Sequence, residues 1–74
     1  MPFGLVLRER RLAAGLSQEV LADNSELHRT YVSQLERGLK APSLAAIEAV
    51  ANALHVAPHI LVRDAESKAA PVRR

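Results

Sequence analysis

Four polar side chains in one short stretch have types and spacing suited to reading a polar ligand. Arg29, Thr30, Ser33 and Gln34 fall at helical intervals on one side, opposite Val32 and Leu35. An arginine offers two parallel donors that match guanine O6 and N7. A glutamine matches adenine N6 and N7, and a threonine methyl can touch the thymine methyl. The same residues also make an ordinary solvated helix face, so the pattern alone leaves both readings open.

Other chemistry finds little support. The chain has no cysteine, which excludes disulfides and thiolate metal sites and is compatible with a reducing cytosol. It has neither a glycine-rich phosphate loop nor a serine nucleophile elbow, so no enzyme is expected. His55 and His59 are four apart, a spacing that can hold a metal, but Pro58 falls between them at an expected helix break. They read as exposed histidines at helix ends, with no metal and no cofactor expected. The formal net charge of +2 permits an anionic partner without requiring one.

The surrounding elements must position those polar groups. With 74 residues there is room for one domain, which buries only roughly 60% of its unfolded surface, so a stabilising partner copy would help. No alternating strand pattern occurs, and helical spacing explains the chain throughout, giving an all-α fold of five helices. Phe3, Leu7, Arg11 and Ala14 mark the first helix, which Gly15 ends. Ser17 is placed as the N-cap of a second helix ending near Asp23 or Asn24. A third starts near His28 or Arg29 and stops at Gly38. Ser43 caps a fourth, with an apolar stripe of Leu44, Ile47, Val50, Ala51 and Leu54 that ends near His55. Pro58 opens a short fifth helix with Ile60 and Leu61. The domain is expected over residues 1–63. Residues 64–74, small and charged, read as a flexible C-terminal tail.

Helices two and three have the spacing of a helix-turn-helix. Ala22 keeps their crossing close, Leu21 lies on the core side, Leu27 plugs the turn, and Val32 and Leu35 anchor the third helix. No apolar run approaches the ~18 residues of a membrane span. Met1–Leu7 lacks the features of a signal peptide, so the cytoplasm is the expected compartment.

The chain resembles the Xre, or lambda-repressor-like, helix-turn-helix family over residues 3–62. The resemblance rests on Ala14-Gly15-Leu16-Ser17-Gln18-Glu19, Leu21-Ala22, and Tyr31-Val32-Ser33-Gln34-Leu35-Glu36-Arg37-Gly38. Pro42-Ser43-Leu44 and Ala53-Leu54-His55-Val56 also match. The small size is similar to phage-type repressors and restriction-modification controller proteins. The resemblance implies a transcriptional regulator that binds double-stranded DNA at a (pseudo)palindromic operator as a homodimer, without a small-molecule ligand. A DNA-binding antitoxin of a toxin-antitoxin pair, or a protein-interaction module, is the alternative on the same fold.

By family position, Arg29, Thr30, Ser33 and Gln34 would meet base edges. Gln18, at the start of the second helix, would face a phosphate. His28 would cap the third helix or lie near a phosphate, and Arg37 and Lys40 would contact the DNA backbone. Tyr31 would either pack or point at the backbone. Arg11 and Glu36 would form a structural ion pair between the first and third helices. Glu26 stands where the family usually has glycine, and Ser25 where it has a larger apolar residue. Either the turn is reshaped, or Asn24 takes the left-handed conformation. Leu39, Val50, Val56, Ile60 and Val62 are candidates for a dimer face.

Overall fold

In the computed structural model, residues 2–69 are described. Five helices follow in order: α1 (Phe3–Ala13), α2 (Gln18–Ser25), α3 (Arg29–Glu36), α4 (Leu44–Ala53) and α5 (Pro58–Ala69). α1 packs on α3 and α5, α2 packs on α3 and α4, and α4 packs on α5. Phe3, Val6, Leu7, Leu21, Val32, Leu35, Val50 and Leu61 are fully buried where these helices meet. None of the described helices is long and apolar enough to cross a membrane.

Local chemistry sets most helix ends. The Ser17 and Ser43 hydroxyls accept from the N–H groups of Val20 and Ala46, each at 3.0 Å. Each satisfies one of the donors that a helix start leaves free. The first four helices close on a left-handed residue: Gly15, Glu26, Gly38 and His55. After each, the next N–H returns to the carbonyl five residues back. These bonds run from Leu16 to Arg11 (3.1 Å), Leu27 to Ala22 (2.9 Å), Leu39 to Gln34 (2.9 Å) and Val56 to Ala51 (3.0 Å). This is the six-to-one closure that satisfies orphan carbonyls.

The turn between α2 and α3 differs from one expectation. Glu26 itself is left-handed, with φ 57 and ψ 37, while Asn24 stays inside α2. A left-handed non-glycine residue is strained by roughly 1–2 kcal/mol. Glycine would relieve that strain and lose roughly 0.5–1 kcal/mol in chain entropy. Glu26→Gly is therefore expected to raise the thermal midpoint by a few degrees, about 4–8 °C per kcal/mol for a domain this size. A lower midpoint in a melting curve would contradict the strain argument. Ser25 is buried, and its hydroxyl has no hydrogen-bond partner among the described residues.

The tail expected from residue 64 onward requires correction. α5 continues to Ala69, and Ala65 is as buried as the core. Leu61 and Ala65 lie one helical turn apart, so the apolar stripe runs past Asp64. Asp64 accepts a hydrogen bond from Arg10 at 2.9 Å, and Lys68 lies 3.3 Å from Glu9. That hydrogen bond from Arg10 holds the Asp64 carboxyl below its usual range. An alanine in a charged, small-residue stretch carries little apolar signal, so the continuation escaped the pattern. The expected tail residues 70–74 lie outside the described residues. Leu44 also departs from its assigned stripe: at the first position of α4 it is 72% exposed, whereas Val50, a dimer-face candidate, is core.

Candidate nucleic-acid interface

The outward face of α3 follows from its inward one. Val32 and Leu35 are buried in the core, and Glu36 is buried beside them. Helical geometry then turns Arg29, Thr30, Ser33, Gln34 and Arg37 away from the core. Together with Gln18 and Leu39 they line an open concavity of about 300 Å³. Its lining carries two guanidinium groups and no carboxylate. The cleft between α1 and α5 contrasts with it, since Glu9 and Asp64 there balance Arg10 and Lys68. The α3 concavity joins several hydrogen-bonding groups to an unbalanced positive charge, the combination an anionic polar ligand needs.

A buried ionic network holds that face in place. Arg11 Nε donates to Glu36 Oε2 at 2.6 Å, and Arg11 Nη2 donates to Oε1 at 3.0 Å. Both side chains are nearly closed to solvent, at 10% and 3% exposure. The hydrogen bond with Glu36 raises the Arg11 pKa further above its already high value, so this guanidinium stays charged. Arg11 Nη1 also donates to the Leu16 carbonyl at 2.9 Å. The Arg11 guanidinium thus ties the end of α3 to α1 and to the loop before α2.

Gln18 joins the same network. Its Nε2 donates to Glu36 Oε1 at 3.0 Å. One of its two amide hydrogens is therefore committed inside the protein, and only the other remains to meet a phosphate. The expectation from the sequence, that Gln18 faces a phosphate, did not include this bond to Glu36. Position alone hid the commitment, because Gln18 and Glu36 are eighteen residues apart.

The remaining residues divide. His28 precedes α3 in extended conformation, and its side chain makes no capping hydrogen bond. It is exposed and lies outside the lining of the concavity. Lys40 is exposed as well but lines the neighbouring groove with Phe3, Gly4, Leu39 and Pro42 rather than the concavity. Tyr31 packs against the core, and its hydroxyl accepts a long 3.4 Å hydrogen bond from the Ser43 N–H. Its role is to brace α3 against the start of α4. Leu39, one of the dimer-face candidates, lines both the concavity and the groove beside it. The signal for this is Gly38, whose left-handed turn brings the next residue back over the end of α3. Val56 packs against the core, and Ile60 and Val62 are half-buried. No three metal-ligating side chains come together among the described residues.

Comparison with known proteins gives a consistent picture. The helix-turn-helix domain family matches residues 2–64. The chain is 46% identical over 61 residues to the control protein C.BamHI of Bacillus amyloliquefaciens, covering 81% of this chain and 75% of that one. The crystal structure of the restriction-modification controller protein C.AhdI from Aeromonas hydrophila matches with a TM-score of 0.78 at 51% identity. That match covers 80% of this chain and 89% of that one. The N-terminal DNA binding domain of SinR from Bacillus subtilis matches with a TM-score of 0.79 at 31% identity, over 82% of this chain and 90% of that one.

Proposed function

The chain belongs to the helix-turn-helix family of DNA-binding transcriptional regulators, and from this we propose that it controls a promoter by binding a (pseudo)palindromic operator as a homodimer. The observation that carries this reading is the exposed, cation-lined face of α3, free of carboxylates. On this reading α3 enters the major groove. Arg29, Thr30, Ser33 and Gln34 meet base edges there. Arg37, and the Gln18 amide hydrogen not held by Glu36, meet phosphates beside the groove. His28 and Lys40, outside the concavity, are peripheral backbone contacts at the two ends of α3. Two copies related by a two-fold axis would present their α3 helices about 34 Å apart, one turn of the duplex. Binding then depends on protein concentration through dimer formation, and the protein acts on the chromosome in the cytoplasm.

Selection of bound duplexes from a random pool, beside sedimentation of the protein and its complex, tests this. The expected outcome is an inverted repeat with half-sites one turn apart, bound by two chains. A pool without enrichment at low salt would remove the proposal.

Arg29 and Arg37 separate the two kinds of contact. Arg29→Ala is expected to cost about 1–3 kcal/mol on the selected site and to relax preference at one base position. Arg37→Ala is expected to weaken all duplexes alike and to lower the salt slope by about 1. Equal losses on every sequence for Arg29→Ala would assign that side chain to the phosphates instead.

A further inference from the structure

The four left-handed helix ends share a second feature. The residue after each turn is aliphatic: Leu16, Leu27, Leu39 and Val56. The closure folds that side chain back over the last turn of its own helix, where an apolar partner commonly receives it. Leu16, Leu27 and Val56 do pack against the core. Leu39 does not, and is 60% exposed.

The reason lies in the sequence of α3. The residues one turn back from its end, which would receive Leu39, are Gln34 and Ser33. Both belong to the outward face. Leu39 therefore sits beside them in the concavity, its backbone held by the 2.9 Å bond from its N–H to the Gln34 carbonyl. Single exposed apolar residues are ordinary, and Leu5, Leu12 and Leu44 are exposed too. None of those three lines the concavity. Leu39 differs in standing between the polar lining of the concavity and the groove formed by Phe3, Leu35 and Pro42, and it stays 60% exposed between them.

In the major groove the apolar feature of the bases is the thymine 5-methyl group. Resting on the reading of α3 as the DNA-facing helix, we propose that Leu39 is a specificity-determining residue that packs on the 5-methyl of one thymine in each half-site. An aliphatic side chain has no donor for a phosphate, and contact with a sugar would carry no preference between bases. The contact adds a thymine preference to the pattern read by the polar side chains of α3.

The test uses the whole chain and a selected duplex in which each thymine is replaced in turn by deoxyuridine, which removes only the methyl. The wild type is expected to lose about fourfold in affinity at one thymine of each half-site, the effect of one buried methyl group. Leu39→Ala is expected to bind the unmodified duplex more weakly and to show no loss at that thymine. Thr30→Ser is expected to retain it, which separates Leu39 from the other methyl-bearing side chain of the concavity. Leu39 is exposed and contributes only its backbone to the helix end, so an unchanged melting curve for Leu39→Ala is part of the expected result. Discrimination that persists in Leu39→Ala at every thymine overturns the proposal, as do half-sites lacking a thymine that couples to residue 39. Either result leaves duplex binding intact. Failure of the wild type to bind any duplex overturns this inference together with the function beneath it.

Discussion

Arg11→Ala is expected to cost about 3–5 kcal/mol, a large share of the stability of a small domain. The magnitude follows from burial rather than from charge as such. Glu36, 3% exposed, would lose both guanidinium hydrogen bonds and keep only the one from Gln18. A buried carboxylate deprived of its counter-charge bears its desolvation uncompensated. Arg10→Ala provides the contrast. Arg10 and Asp64 are each about one-third exposed, so solvent screens that pair and it contributes little. The double replacement Arg11→Met with Glu36→Leu is expected to recover much of the loss, because no charge is then stranded. Thermal melts of the four proteins decide the matter. Comparable small shifts for Arg11→Ala and Arg10→Ala would mean that the network is weaker than its burial implies.

The second large effect is expected at Gly4. It lies in the first turn of α1 and is buried where that helix meets the end of α3. A Cβ at this position would overlap the Leu35 carbonyl oxygen and stand 2.7 Å from the Glu36 carbonyl oxygen. Both obstacles are backbone, so no rotamer change can make room. Alanine favours a helix over glycine by about 1 kcal/mol. Overpacking costs typically about 1–3 kcal/mol, and a rigid obstacle places this site at the upper end, so Gly4→Ala is a net destabilisation. The displacement also pushes α1 away from α3, the helix whose outward face forms the interface. Gly4→Ala is therefore expected to weaken DNA binding at temperatures where it is still folded, alongside a lower thermal midpoint. A variant that melts and binds like the wild type would show that the two helices separate without cost.

Neither site stands out by composition. The Arg11–Glu36 pair was legible through family resemblance, yet the amide of Gln18 on the same carboxylate was not. Gly4 was invisible, since a glycine inside a helical pattern ordinarily signals only weakness. Its meaning depends on how near another backbone comes.

Short-range chemistry was determined by the sequence itself. Ser17 and Ser43 as caps, Gly15 and Gly38 as closures, and Val32 and Leu35 as the inward face of α3 depend on neighbours within one or two turns, and such neighbours are written consecutively in the chain. Only the tertiary structure decided that α5 extends to Ala69, that Val50 is interior, and that Leu39 stands uncovered beside Gln34. Burial is a property of two surfaces that meet, and which surfaces meet depends on the packing of all five helices together.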